Sequence, residues 1–212
     1  LTKSHPPEQW MALVRGSTPL RQIESGLNAL VQLEAMRPAP VYLIIGSPGA
    51  GKSTLAAALM SRHERGIHIP VDDLREWVVS GIAHPVEWNE ETTRQFGLAI
   101  YAAMDVALRY SDAGFAVAVD HCHHLAFLDD AVSVHPVGPR VRKILLLPGV
   151  EACLERNQSR STKWFDTQAL VPIIKTLCRE FEEASTQTDG WLVLDSSGQT
   201  IEESVDSLLA LL

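Results

Sequence analysis

The chain has 212 residues, 46% of them hydrophobic, and a formal net charge of −8 at pH 7. This length suits one globular domain, no apolar run approaches the 18 residues of a membrane span, and residues 1–20 lack the continuous apolar region of a signal peptide. The negative charge disfavours binding to long nucleic acids, because that binding depends on Lys and Arg. Three widely separated cysteines favour free thiols in a reducing compartment, and hence a cytoplasmic protein.

Residues 1–40 precede the first predicted strand and are predicted to form a helical extension. Thr18-Pro19 is typical of a helix N-cap followed by proline at the first helical position. Apolar residues then recur at helical spacing, and no pattern typical of a functional site accompanies them. We therefore expect residues 1–40 to pack outside a main domain formed by residues 41–212.

A glycine-rich segment follows the first apolar run, Val41–Ile45, and precedes a helical pattern. It reads Gly46-Ser47-Pro48-Gly49-Ala50-Gly51-Lys52-Ser53-Thr54. This is the phosphate-binding pattern G-x-x-x-x-G-K-S between a buried strand and a helix, as in a P-loop. Its backbone amides would cradle an anion at a helix N-terminus, Lys52 would reach the β- and γ-phosphates, and the Ser53 hydroxyl would bind Mg²⁺. The segment predicts that the chain binds ATP with Mg²⁺.

Apolar runs without polar alternation predict four further buried strands, at 66–71, 115–119, 141–147 and 191–194. Helices are predicted at 55–63, 96–108, 125–134, 150–157 and 167–184, and after a capping box formed by Thr200 and Glu203. The alternation predicts a three-layer α/β/α fold with a five-stranded, mainly parallel sheet. Ligands are then expected beyond the carboxyl ends of the strands, at 46–54, 72–75, 120–124 and 195–198.

Three features narrow the class of P-loop protein. The chain is short, which leaves little room for a motor or sensor module. It contains no Asn-Lys-x-Asp stretch of the kind that selects guanine, which disfavours a GTPase. A polar, Arg-containing stretch at about 156–166 is typical of a mobile lid, and a kinase needs a lid to exclude water from the triphosphate.

Beyond the P-loop, three short segments are informative: Asp72-x-x-Arg75, Val119-Asp120, and Arg156-Asn157-x-x-Arg160 in the predicted lid. With the P-loop, they resemble the small P-loop kinases, namely the polynucleotide 5′-kinase domain, chloramphenicol phosphotransferase and zeta toxins. The resemblance covers residues 41–212. It implies ATP-dependent transfer of a phosphoryl group to an alcohol.

Physical roles can be stated for these residues. Asp72 would accept the proton of the attacking hydroxyl, although its position would also suit a helix N-cap. Arg75, one helical turn on, would hold the acceptor. Asp120 would hold Mg²⁺ together with Ser53, unless it is only a loop aspartate. Arg156 and Arg160 would close over the phosphates and act with Lys52 on the transition state; a solvated basic face is the alternative.

The segment after the third strand departs from the resemblance. Related kinases commonly have Asp-x-Thr-Asn there, whereas this chain has Asp120-His121-Cys122-His123-His124. Consecutive ligands do not converge easily on one tetrahedral ion, so we disfavour zinc and predict that His121 and His123 bind the acceptor. Trp77 and Trp88 either stack on the acceptor or pack in a helical core.

Three functions remain open on the sequence. The first is a kinase that phosphorylates a hydroxyl of a small-molecule or nucleoside-like acceptor. The second is a 5′-hydroxyl polynucleotide kinase; the lid motif favours it, the net charge opposes it, and basic surface at Arg140, Arg142 and Lys143 near the rim would support it. The third is a nucleotide-binding regulatory or toxin-like module in which residues 1–37 bind a partner. The oligomeric state is left open.

Overall fold

The computed structural model describes residues 37–159, 165–186 and 190–212. Residues 1–36 of the predicted N-terminal extension and Arg160 lie outside the described residues. The strands are β1 (Val41–Ile45), β2 (Gly66–Pro70), β3 (Ala116–His121), β4 (Val141–Leu146) and β5 (Trp191–Leu194). In the described part of the chain they form one sheet in the order β2-β3-β1-β4-β5, and every neighbouring pair is parallel.

Seven α-helices are described. They are α1 (Lys52–Met60), α2 (Val71–Glu76), α3 (Glu90–Asp112), α4 (Leu125–Val134), α5 (Val150–Gln158), α6 (Val171–Ser185) and α7 (Ile201–Leu211). Short 3-10 turns at Gly138–Arg140 and Thr167–Leu170 precede β4 and α6. Within the described ranges, no helix has both the length and the apolar character needed to cross a bilayer.

The helices cover both faces of the sheet. Alternate residues of β1 point to opposite faces, so that Leu43 packs in one apolar cluster and Ile44 in the other. Ile100 of α3 belongs to the first cluster, whereas Leu59 of α1 and Leu208 of α7 belong to the second. The predicted three-layer α/β/α fold is therefore confirmed.

Several predicted boundaries differ from the structure. β2 ends at Pro70, because Val71 already begins α2. The helix predicted over 167–184 is a 3-10 turn followed by α6, and Pro172 lies in the first turn of α6, where its missing N–H costs no helical hydrogen bond. The Thr200 capping box is present as predicted.

Parallel strands bring the segments that follow them to one edge of the sheet. The P-loop follows β1, α2 follows β2, the histidine segment follows β3, and residues 195–198 follow β5. The rim predicted from the sequence thus exists, and it is the edge at which doubly wound sheets bind their ligands.

Candidate active site

Two glycines give the P-loop its shape. Gly49 and Gly51 have φ angles of 82° and 97°, in the left-handed region that side chains disfavour. A Cβ atom on Gly49 would lie 2.2 Å from the carbonyl oxygen of Cys153. Gly51 is also the N-cap of α1 and offers no side chain there. The loop can therefore bring backbone amides close to an anion at the start of α1.

A buried polar cluster of one serine and two cysteines anchors the P-loop. The Ser47 hydroxyl donates to Cys153 Sγ at 3.2 Å and accepts from Cys178 Sγ at 3.2 Å. Burial raises the pKa of the Cys178 thiol to about 11, so the thiol stays protonated and can donate. Both cysteines are buried and free. Because Cys153 lies on α5 and Cys178 on α6, this cluster fixes the loop against two helices.

The predicted magnesium ligands are adjacent in the structure. Ser53 Oγ donates to Asp120 Oδ2 at 2.7 Å. The other carboxylate oxygen, Asp120 Oδ1, lies 2.8 Å from His68 Nε2. Lys52 Nζ donates to the carbonyl oxygen of Ser47 at 3.0 Å. A hydroxyl beside a carboxylate, next to a phosphate-binding loop, is a donor set that suits Mg²⁺.

His68 was not predicted as a site residue. It lies on β2, the strand beside β3, so its side chain can reach the carboxylate at the end of β3. The available signal was a single histidine within an otherwise apolar strand. Its contact fixes the orientation of Asp120, as the contacts around metal ligands commonly do.

Asp72 lies in the first turn of α2. The N-cap of this helix is Pro70, which makes no side-chain capping bond, so the alternative role of Asp72 as N-cap is wrong. Asp72 lines the same cavity as Lys52 and Asp120. Its charge also acts on Arg75 and His121, since it opposes the lowering of their pKa values by burial. Asp72 is thus close to Arg75 and His121, two of the three predicted acceptor-binding residues.

Arg75 is 3% exposed and has two structural contacts. Its Nη1 donates to the carbonyl oxygen of Ala83 at 2.7 Å, and its guanidinium carbon lies 4.6 Å from the centre of the Phe96 ring. Its Nε has no hydrogen-bond partner among the described residues. Arg75 still lines the cavity. It therefore supports the loop after α2 as well as bordering the predicted acceptor site.

Gln95, another residue that sequence reasoning missed, fastens the same loop to α3. Its Oε1 accepts from the Ala83 amide at 2.9 Å, and its Nε2 donates to Gly81 O and to Glu91 Oε1, each at 2.7 Å. Arg94 in turn donates twice to the Glu91 carboxylate, at 2.8 Å. This network, here called the loop clamp, positions residues 81–83 before the chain reaches Trp88.

Aromatic side chains form a wall beside Asp72. The Trp88 ring stacks on Phe96 at 5.2 Å between centroids and 13° between planes. His123 meets the edge of Trp88 at 5.9 Å and packs on Phe127 at 4.2 Å. Trp77 and Trp88 are 72% and 54% exposed. The alternative in which the two tryptophans pack in a helical core is therefore wrong, and only Trp88 lines the cavity.

The histidines after β3 have three different environments. His121 is 2% exposed, and neither of its ring nitrogens has a hydrogen-bond partner in the described chain. Burial lowers the pKa of both His121 and His123 to about 4, so both rings are neutral near pH 7. His124 is exposed and lies 3.2 Å from Glu180. Within residues 37–159, 165–186 and 190–212, no three His, Cys, Asp or Glu residues are grouped as metal ligands.

Donor and acceptor residues share one cavity of about 800 Å³. Eight predicted site residues line it: Pro48, Lys52, Ser53, Asp72, Arg75, Asp120, His121 and His123. The structure therefore brings together the P-loop, the start of α2 and the end of β3.

Arg156 lies elsewhere. It lines a smaller cavity of about 200 Å³ with Thr54, Ser196 and Gln199. Its Nη1 donates to Ala50 O at 3.0 Å and its Nη2 to Ser196 O at 3.4 Å. The guanidinium thus rests on the side of the P-loop that faces residues 195–198. The neighbouring Asn157 is buried and donates to Thr167 O at 2.9 Å, which ties together the two ends of the predicted lid.

Comparison with known proteins finds relatives of this chain and structures with the same fold. An adenylyl-sulfate kinase from Marinobacter nauticus is 29% identical over 171 residues, which are 79% of this chain and 80% of that protein. A sugar kinase from Janibacter superposes with a TM-score of 0.60 at 18% identity, covering 82% of this chain and 94% of its own. A tunicamycin resistance protein from Deinococcus radiodurans gives 0.57 at 17% identity, covering 82% and 95%. No protein-family profile matches the chain.

The chain has the fold of the small P-loop kinases. The prediction of a kinase of this general kind is confirmed. The comparisons do not single out polynucleotide kinases, chloramphenicol phosphotransferase or zeta toxins among small P-loop kinases, so that finer resemblance stays a prediction. The roles predicted for individual site residues likewise stay predictions.

Proposed function

We propose that this small P-loop kinase transfers the γ-phosphate of ATP to a hydroxyl group of a small-molecule or nucleoside-like acceptor. The observation that carries the proposal is the single cavity that joins Lys52, Ser53 and Asp120 to Asp72. A relative named for its action on adenylyl sulfate supports a small acceptor. Residues 41–212 would form the kinase domain.

The donor half of the site is proposed to work as follows. The P-loop amides bind the β- and γ-phosphates, and Lys52 exchanges its bond with Ser47 O for a phosphate oxygen. Ser53 and Asp120 would hold Mg²⁺, which neutralises phosphate charge when it is bound. His68 keeps Asp120 oriented through its 2.8 Å contact.

On the acceptor side, Asp72 is proposed to act as general base. The acceptor hydroxyl gives its proton to the Asp72 carboxylate, its oxygen forms a bond to the γ-phosphorus, and the bond from that phosphorus to the bridging oxygen breaks, so that ADP leaves. Arg75 would border the acceptor while holding Ala83.

The position of Arg156 favours a contact with the donor nucleotide. It lies between Ala50 O and Ser196 O, beside the cavity that includes Thr54. We propose that the nucleoside part of ATP binds here, between the lid and residues 195–198. Arg160, outside the described residues, keeps its proposed role over the phosphates.

A polynucleotide end is a less well supported acceptor. Arg140 and Lys143 lie near the amino-terminal end of β4, away from the rim, and are paired with Asp112 and Asp129. They therefore do not form the basic surface near the rim that would have supported this alternative. The net charge of −8 also opposes it.

The test is acceptor-dependent formation of ADP in a screen of hydroxyl compounds, repeated with Asp72→Asn and with its neighbour Asp73→Asn as matched control. Loss of a general base is expected to lower turnover about 10²- to 10⁴-fold, with ATP affinity retained, whereas Asp73→Asn should stay within a few-fold of the wild type. Full turnover by Asp72→Asn would show that the base is misassigned. Transfer to a 5′-hydroxyl oligonucleotide, weakening as salt rises, would favour the polynucleotide alternative.

A further inference from the structure

His121 presents an unexplained polar group on the acceptor side of the cavity. Its ring is almost fully buried, and both Nδ1 and Nε2 lack hydrogen-bond partners in the part of the chain that the structure describes. A buried polar atom without a partner is destabilising, and native proteins rarely leave one without a reason. Because His121 lines the cavity, a bound molecule can supply the missing partner.

The neighbours of His121 are flat and aromatic. Its ring lies 5.6 Å from Phe96 and 5.7 Å from His123 between centroids. Trp88 covers Phe96 with nearly parallel rings, yet more than half of Trp88 is exposed, so part of its surface is available in the cavity. Exposed indole beside an open cavity is suited to stacking on another flat ring.

Carboxylates outnumber cationic side chains in the described lining of the cavity, which disfavours an anionic acceptor. His121 is almost fully buried beside the rings of Phe96 and His123. Arg75, which carries the described guanidinium on this side, already donates to Ala83 O and packs on Phe96. An anionic ligand needs cationic side chains around it, and the described lining offers few of them. A neutral ring, by contrast, loses little free energy when it leaves water.

We propose that the acceptor is an uncharged alcohol that carries a flat aromatic ring, such as a nucleoside or an aryl alcohol. The ring stacks on Trp88 beside His123, and a polar atom at the ring edge hydrogen-bonds to His121. The inference rests on the proposed function, since it is the nearby Asp72 that would activate the hydroxyl of this ring compound. It assigns Trp88 as the residue that distinguishes ring acceptors from sugars and sugar acids, and His121 as a hydrogen-bonding partner of the acceptor.

The size of the cavity is compatible with this acceptor. About 800 Å³ is within the range of pockets that enclose a ligand of drug size. The P-loop end must also admit the γ-phosphate of ATP, so the acceptor has only part of that volume. A nucleoside or a substituted phenyl alcohol suits the remainder, whereas a folded polynucleotide does not.

The experiment is equilibrium binding by titration calorimetry without ATP, so that it does not depend on phosphoryl transfer. The ring probes are adenosine, guanosine, cytidine, thymidine and chloramphenicol; the ring-free probes are D-ribose and D-gluconate. We expect saturable binding of at least one ring probe and at least tenfold weaker binding of both ring-free probes. Absence of binding by all five ring probes, or equally tight binding of D-ribose or D-gluconate, would overturn the proposal.

Matched variants locate the binding. Trp88→Leu should weaken the binding of the ring probe about tenfold or more, as expected for the loss of one stacking partner, and Trp88→Phe should restore most of it. Trp77→Leu is the control, because Trp77 is exposed but does not line the cavity. His121→Leu should weaken the ring probe more than His121→Asn, which retains hydrogen-bonding atoms. If Trp88→Leu and His121→Leu bound like the wild type, the proposed site would be wrong.

Failure of this inference is distinguishable from failure of the proposed function. A chain that binds ATP and phosphorylates D-ribose or D-gluconate but no ring probe is a kinase with a different acceptor. A chain that binds a ring probe at Trp88 but never forms ADP would leave the ring site in place and remove the kinase proposal.

Discussion

The two halves of the cavity differ in how the chain builds them. The donor half is mostly one continuous segment, Gly46–Thr54, whose backbone angles and amides make the phosphate site, with Asp120 added from the next strand. The acceptor half takes single side chains from α2, from the loop before α3, from α3 itself and from the end of β3. Its properties come from burial and stacking rather than from backbone shape. We therefore expect that one half can be changed without the other.

The largest expected effect comes from Gly49→Ala in the donor half. Its Cβ would lie 2.2 Å from Cys153 O at a φ of 82°, so the P-loop must distort. We expect a loss of about 2–4 kcal/mol in the free energy of unfolding, measured with urea, and loss of ATP binding by calorimetry, while binding of a ring probe is retained.

Gly97→Ala is the matched control, because a Cβ atom there meets nothing within 4 Å and the residue lies inside α3. It should be neutral or stabilise by up to about 1 kcal/mol, owing to the higher helix propensity of alanine. Retained ATP binding in Gly49→Ala would show that the donor half does not depend on this backbone geometry.

The next effect is a dependence of stability on pH that arises in the acceptor half. The unfolded chain takes up a proton on His121 below its ordinary pKa of about 6.5, whereas burial keeps the folded residue neutral down to about 4. The free energy of unfolding should therefore fall as the pH drops from 6.5 to 4, by up to about 3 kcal/mol from this residue.

Urea unfolding at several pH values in that window measures this dependence. His121→Leu should reduce it, with the remainder coming from His123, whose pKa burial also lowers. His124→Leu, at an exposed neighbour, should leave it unchanged. Identical pH profiles for the wild type and His121→Leu would contradict the burial of a neutral imidazole at this position.

A smaller effect is expected from Gln95→Leu in the loop clamp. The substitution leaves Ala83 N and Gly81 O without their present partners, so we expect a loss of about 1–3 kcal/mol in stability. Faster hydrogen exchange at the Ala83 amide and weaker binding of a ring probe should follow, with ATP binding unchanged. Gln168→Leu, at an exposed position, is the control. Equal weakening of ATP and ring binding would mean that the two halves are not independent.

What the sequence predicts and what it does not follow the same division between the donor half and the acceptor half. The fold and the P-loop were predicted because their signals are local: apolar runs mark the strands, and a fixed spacing of Gly, Lys and Ser marks the loop. The end of β2 was misplaced by one residue, since an apolar residue such as Val71 suits a strand end and a helix start equally.

The missed site residues depend on contacts that no local pattern contains. His68 matters because β2 lies beside β3, and Gln95 matters because α3 passes the loop at 81–83. Arg156 was expected over the phosphates from its motif, but its observed partners are the carbonyl oxygens of Ala50 and Ser196. That geometry is set by the packing of α5 against the P-loop.

The central claim is transfer of a phosphoryl group to an alcohol, and phosphorus NMR of a reaction with ATP, Mg²⁺ and a binding ring probe tests it most directly. The account predicts equal amounts of ADP and of a new phosphate monoester, with both signals abolished in Asp72→Asn and retained in Asp73→Asn. ADP accompanied only by inorganic phosphate, at the same rate with and without the ring probe, would contradict it.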